Sequence, residues 1–365
     1  MEFSFPILAG FGLVCGFGSL WLVSVLIRLA PRIGLLDRPN ERSSHTRVTP
    51  RGGGLGFVLL VALMLGAFLV WRSVTTSVAG GLDSRSMLAT YLVAALFVAV
   101  VSLRDDFKSL SPGVRFLCQL GAAGAAVVGI AWIKVIAAPL IGQIDNGWFG
   151  FGLTVIWIVG LTNVYNFMDG IDGIAGVQGT IAGLAWAVAG IAIGTPIVAM
   201  LGLMLAGGCA GFLVHNWSPA KIFMGDVGSA FLGYSFAVMP LLALGSLPVA
   251  GSYSCAGALP LFALLVVWPF VGDGFYTFLR RFRRGEPVWK PHRSHLYQRL
   301  VQSGWSHSQV SSLYAVWCMI SSVTALLWLR NILGMAIAVL VALLSLSAVL
   351  FLVKGREKQN AVGHV

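Results

Sequence analysis

Two amides and two carboxylates, Asn163, Asn166, Asp169 and Asp172, recur at intervals of three within the segment NVYNFMDGIDG, directly after an apolar run long enough to cross a bilayer. The chain has only 13 acidic residues, so this density of oxygen donors reads as a ligand cluster, Asn166 and Asp169 being the better donors for a hard metal ion. A polar helix cap explains one such residue but not four at fixed spacing. On a helix each step of three turns the side chain by about 300°, so the first three stay within an arc of roughly 120° while Asp172 drifts away. Gly170 and Gly173 offer the break that brings Asp172 back, with Asn163 supporting the set from the helix.

Four other stretches carry chemistry-bearing residues. Asp105 and Asp106 follow the apolar run ending at Leu103; adjacent helical side chains diverge by about 100°, so one faces a site and the other supports it, unless both merely pair with Arg104 and Lys108. In FMGDVGS, Asp226 is placed to ligate Mg²⁺ or to cap the next helix. Gly52 to Gly54, preceded by Asp37, His45, Arg47 and Arg51, read either as an anion-binding nest or as glycines that permit close helix packing. In RRFRRGEPVWKPHRSHLYQR, Pro291 suits the first turn of a short helix that aligns His292, His295 and Arg299 on one face toward an anion, while the arginine run anchors to the membrane surface. Ser306 and Gln309 form a capping box for the helix that follows, and Asp273 is an intramembrane acid, facing a cavity or an internal ion pair.

Long apolar helices must position these groups. With 58% hydrophobic and 10% charged residues and a mean hydropathy of +0.88, the 365-residue chain is an integral membrane protein and reads as one membrane domain over 1–365, with a short basic cytoplasmic tail from 354 to 365. Taking about 20 apolar residues per crossing gives eleven expected helices, at roughly 5–30, 53–71, 86–103, 115–133, 148–165, 174–193, 196–214, 228–245, 255–279, 310–329 and 331–353. All but four of the 24 Lys and Arg residues, namely Arg72, Arg85, Lys134 and Arg330, then fall on one side, which predicts the N-terminus outside and the C-terminus in the cytoplasm. The same odd-numbered loops hold nearly all acidic and histidine residues. The first run lacks a basic n-region and a cleavage site and reads as a retained helix. Five single cysteines without a CxxC pair exclude zinc and disulfide chemistry, and the basic residues are claimed by the cytoplasmic face rather than by nucleic acid.

In this order, Asp105-Asp106, NxxNxxDGxDG at Asn163–Gly173, FMGDVGS at Phe223–Ser229 and PHRSHLYQR at Pro291–Arg299, the motifs resemble those of the polyprenyl-phosphate N-acetylhexosamine-1-phosphate transferases. That family includes phospho-N-acetylmuramoyl-pentapeptide translocase and the enzymes that start O-antigen and teichoic acid chains. The resemblance covers nearly the whole chain. It implies an all-α multi-pass protein of about eleven helices in the bacterial inner membrane, its site facing the cytoplasm, with Mg²⁺ (Mn²⁺ as a substitute), a UDP-HexNAc donor and undecaprenyl phosphate as acceptor; a homodimer is compatible with it. His292-Arg293-Ser294-His295 stands where the peptidoglycan translocases have adjacent histidines, and resembles instead the O-antigen initiating enzymes that use UDP-GlcNAc or related sugars such as N-acetylfucosamine.

On this reading Asp105, Asp106, Asp169, Asp172, His292 and His295 are the expected catalytic residues, and Asp226, Asn166 and Asp169 the metal ligands. His45, Arg51, Asn163, Lys221 and Arg293 are expected to bind substrate. The competing class is a transporter of an anionic lipid-linked sugar, which would place paired charges near the bilayer midplane on broken helices; here almost all charge sits at one interface.

Overall fold

The computed structural model describes residues 5–39, 47–75, 84–138, 142–247, 252–287 and 292–363. In chain order its elements are α1 (Phe5–Ile33), β1 (Leu36–Asp37), β2 (Thr49–Pro50), α2 (Gly54–Thr75), α3 (Ser84–Phe107), α4 (Pro112–Gly129), β3 (Val135–Ala138), β4 (Gly142–Asp145), α5 (Phe149–Met168), α6 (Ile174–Ala192), α7 (Pro196–Asn216), α8 (Asp226–Ser246), α9 (Ser252–Val266), α10 (Trp268–Arg283), α11 (Leu296–Gln302), α12 (His307–Leu329) and α13 (Met335–Gly363). The architecture is all-α because a backbone in lipid must satisfy its own N–H and C=O groups. The two antiparallel strand pairs, β1 with β2 and β3 with β4, are short.

Every expected crossing folds as helix, with two corrections. The fourth runs only from Pro112 to Gly129, leaving the helix for β3 earlier than 133, and lies outside the nine helices that, among the described residues, are long and apolar enough to span, or ten if α9 and α10 count as one. The ninth is not continuous: α9 and α10 meet at 73°. Pro269, near the start of α10, lacks the N–H that would bond back into α9, and its ring crowds the preceding turn. The basic stretch from Lys354 prolongs α13 rather than leaving it.

α8 is the central helix, buried from Val227 to Ala243 and packed against α3 and α5. α7 lies close to α1 and α6 because Gly207 and Gly211 meet Gly12 and Gly16, and Gly202 meets Gly183. Without side chains in the way the backbones come into contact, as membrane helix packing favours. The β3–β4 hairpin joins α4 to α5 at one end of the bundle. At the other end meet the C-termini of α3, α5, α7 and α10 and the N-termini of α2, α6, α8 and α12, linked by the hydrogen bonds described next.

Candidate active site

Asp106 is the hub of that end. Its side chain, 0% exposed, accepts hydrogen bonds from the Arg51 guanidinium and from the backbone amides of Asp226 and Val227, both at 3.0 Å. The last turn of α3 is thereby locked to the first turn of α8. Gly225, at φ +76°, makes this approach feasible, since a Cβ there would lie 2.9 Å from Asp106 Oδ2 and 3.0 Å from the Gly52 nitrogen. Asp105 accepts from the Leu110 amide and, at 3.0 Å, from Arg115, and its side chain also bonds that of Asp226. The two neighbouring carboxylates leave the helix in different directions yet both meet Asp226, Asp106 at its backbone amide and Asp105 at its side chain.

The expected glycine nest does not form. Gly53 and Gly54 donate their amides to the carbonyls of Phe223 and Met224, each at 2.9 Å, and Phe223 donates to Pro50 at 2.8 Å. These donors are spent on docking loop to loop, and Gly54 packs directly on Gly228, so the close-packing reading of the glycines holds. Arg51 keeps its charge: burial works against it, but Asp106, Asp226 and Asp37 raise its pKa on balance. His45 lies outside the described residues.

α5 ends at Met168, with Asp169 as its C-cap. Asn166 donates to Ser229 Oγ at 2.9 Å and also bonds Asp226. Asp169 has no hydrogen bond to its carboxylate among the described residues; burial, then the charges of Asp226 and Asp106, push it up to about 8. Asp226 is the open member of the set, its side chain 29% exposed and its oxygens 3.7 Å from Arg51 and 3.8 Å from Arg115. Asn163 is turned toward α4, where it exchanges hydrogen bonds with Gln119. Asp172 is past the Gly170 break but faces other partners: the Ala220 amide at 3.1 Å and His307 at 3.3 Å. Burial raises its pKa, yet the bonds from His307 and Ala220 outweigh that and the net shift is downward. It ties α6 to the 217–225 loop and to the start of α12, which Ser306 and Gln309 cap reciprocally as expected.

The segment from His292 to Arg299 departs from the expected geometry. α11 begins at Leu296 with His295 as N-cap, so His292, His295 and Arg299 are not three points on one helical face. His292 precedes the helix, its ring 4.9 Å from that of His295, and burial together with His295 and Arg281 pulls its pKa down to about 4. It is neutral near pH 7. The anion at the helix start is the protein's own Asp273, fully buried, which accepts from the Leu296 amide at 2.8 Å, Tyr314 at 2.6 Å, Thr277 at 3.1 Å and His295 Nδ1 at 3.3 Å. The Tyr297 hydroxyl reaches the Phe167 carbonyl at 3.1 Å and packs on Gly170, seating α11 on the corner that carries Asp169. The Arg293 carbonyl accepts from Gln302 at 2.9 Å, and Lys221 is exposed in the loop before FMGD.

Between α5 and α10 runs a cavity of about 490 Å³, lined by apolar residues including Leu153, Trp157, Val164 and Phe275 and ending at Arg281, His292 and His295. Chemically the site is an acidic cluster flanked by two arginines, on the helix that also lines an apolar channel ending at one arginine and two imidazoles. Among the described residues no three His, Cys, Asp or Glu side chains form a metal-holding group. An open Asp226 carboxylate next to Asn166 and an unsatisfied Asp169 fits a hard cation that takes one or two protein carboxylates and completes its shell with water and phosphate oxygens.

Arg115, Ser229, His307 and Tyr297 belong to this assembly and were not singled out from the sequence. Arg115 carried a legible signal: Ser111-Pro112 starts α4 and sets Arg115 in its first turn, beside the Asp pair. The model of the family described as glycosyl transferase family 4 matches residues 87–244. The chain is 32% identical over 292 residues to a Bacillus subtilis protein named "Probable undecaprenyl-phosphate N-acetylglucosaminyl 1-phosphate transferase", covering 78% of this chain and 75% of that one. It is also 32% identical to decaprenyl-phosphate N-acetylglucosaminephosphotransferase of Mycobacterium tuberculosis (79% of this chain, 74% of the relative). With phospho-N-acetylmuramoyl-pentapeptide-transferase of Synechococcus the identity is again 32%, over 82% of this chain and 86% of the relative. The order of acidic motifs, their convergence at one end of an all-α membrane bundle and likeness over three quarters of these relatives lead to one conclusion: the chain belongs to glycosyl transferase family 4.

Proposed function

We propose that this protein transfers a HexNAc-1-phosphate, with GlcNAc, N-acetylfucosamine or a related sugar, from a UDP-sugar to undecaprenyl phosphate, releasing UMP, as the first membrane step of O-antigen or another envelope polysaccharide. The observation that carries it is that α5 ends at the acidic, arginine-flanked cluster with Asn166 and Asp169 while Val164 and Phe167 of the same helix line an apolar cavity that reaches Arg281, His292 and His295. A polyprenyl chain suits the cavity, its phosphate suits Arg281 and the two imidazoles, and the donor diphosphate suits the region of Asp226, Arg51 and Arg115. The relatives' names, which speak of polyprenyl phosphate acceptors, support the same reading.

Two anions must be brought together, so neutralising charge is the main task. Asp226, Asn166 and Asp169 would hold Mg²⁺, which when bound screens and polarises phosphate oxygens as metals do in phosphoryl transfer. Arg51 and Arg115, each within 4 Å of Asp226, can turn to phosphate oxygens once that carboxylate is occupied. Asp105 and Asp106 fix this geometry. With their oxygens committed to Arg115, Arg51 and three backbone amides, neither is a free nucleophile, which favours direct displacement over a phosphorylated aspartate. The lipid phosphate, with a second pKa near 6, is largely dianionic at neutral pH and needs no strong base. The positive-inside count supports a cytoplasmic site, with the N-terminus outside and the C-terminus inside. A transporter is disfavoured because the one bent helix pair found among the described residues carries an Asp273 already satisfied by protein donors.

The test is UMP release from a panel of UDP-HexNAc donors with undecaprenyl phosphate, with Mg²⁺ and with EDTA. Release from no donor sinks the proposal; a labelled phosphoprotein formed from UDP-sugar without acceptor overturns direct displacement.

A further inference from the structure

α11 has seven residues and is tied to three longer helices. Its first amides bind Asp273 of α10, and Tyr297 binds the end of α5. Its last turn is held by α13: Arg299 Nε and Nη2 reach Glu357 Oε1 and Oε2, both at 2.7 Å, a forked pair. Arg356, next to Glu357, lies 5.3 Å over the ring of Trp305, just beyond α11. An exposed ion pair would constrain little, but the Arg299 side chain is 8% exposed and, among the described residues, its Nη1 has no hydrogen-bond partner and Glu357 and the Tyr276 hydroxyl answer its buried charge. The Arg299 amide in turn donates to the His295 carbonyl at 3.0 Å, so a displacement of Arg299 carries His295 with it.

We infer that the polar end of α13 is a strut that sets the position of α11, and through it His295 at the mouth of the cavity and Tyr297 on the Asp169 corner. Arg299 and Glu357 are then positioning residues for the transfer, distant in sequence from every acidic motif. The inference rests on the transferase reading, and its test is chosen to separate the two.

The full chain in lipid nanodiscs is compared with Glu357→Gln, Arg299→Glu, the charge swap Arg299→Glu/Glu357→Arg, and Lys358→Gln as an exposed control. The rate at which diethyl pyrocarbonate modifies His295, mapped by mass spectrometry, reads its position without turnover; kcat and KM for donor and acceptor read the consequence. Glu357→Gln should speed His295 modification several-fold and lower kcat about tenfold with donor KM little changed, and the swap should recover a good part of both. Should Glu357→Gln not fold, Glu357→Asp keeps the charge, shortens the reach and gives the same readout. Unchanged His295 reactivity and kcat in these variants, or losses that the swap does not recover, overturn the strut. A wild-type protein that releases no UMP from any donor removes the transferase reading, while His295 reactivity still decides whether α13 positions α11.

Discussion

Replacing Asp226 by Asn should separate catalysis from stability. Its carboxylate lies 3.7 and 3.8 Å from Arg51 and Arg115, and it also raises the pKa of Asp169, so attractive and repulsive terms of similar size act on it. A unit charge pair at 4 Å is worth about 4 kcal/mol at an effective dielectric of 20, before desolvation. Two attractions against neighbouring carboxylates leave a small remainder, and Asp226→Asn should change folding free energy by no more than about 1 kcal/mol. Turnover should fall by roughly 10²–10³ or more, the scale of losing one preorganised electrostatic contact. Asp106→Asn is the contrast. Its fully buried carboxylate serves Arg51 and two amides, and one amide hydrogen would now face a backbone N–H, so stability should drop by roughly 3–5 kcal/mol along with activity. Thermal unfolding in detergent and UMP release, run on both variants, measure the two effects. Near-normal Mg²⁺-dependent turnover in Asp226→Asn, or equal destabilisation by both changes, would refute the division of labour drawn here.

Gly225→Ala forces a side chain into φ +76° and against Asp106, so it should cost roughly 1–3 kcal/mol and most of the turnover, measured by the same two assays. Asp169, with a folded pKa of about 8 against an ordinary 3.8, binds a proton on folding between those limits; metal-free stability should therefore fall as pH rises from about 4 to about 8, and stabilisation by Mg²⁺ should grow over the same window in melts with EDTA or Mg²⁺. A flat metal-free profile would exclude a protonated Asp169. Asp172→Asn and His307→Gln should each lower stability by about 1–2 kcal/mol, less than additively in the double variant, with donor KM unchanged. Gly160→Phe, pointing a ring into the apolar cavity, should raise KM for the long-chain acceptor and leave that for the donor alone, as steady-state kinetics with long and short polyprenyl phosphates would read.

The helices were legible because hydropathy is a property of a run: each apolar segment must satisfy its backbone internally whatever its neighbours are, so nine of the eleven expected crossings could be drawn before any contact was known. The break at Val267 was written in Pro269, yet a proline kinks some membrane helices and is absorbed by others, so only the packed bundle fixed the 73° bend. The motif residues were legible too, since Asp and Asn at membrane depth are costly without a partner. Their partners were not. Whether Asp172 joins Asp226 or His307, whether Gly53 and Gly54 offer amides to an anion or to Phe223 and Met224, and whether Arg299 faces a substrate or Glu357 all depend on which chain ends approach within about 3 Å, and residues so far apart in the chain carry no local periodicity that encodes it. From the sequence alone came a membrane bundle with one acidic, basic-rimmed face; the tertiary structure decided which of those charges hold the protein together and which remain open to bind.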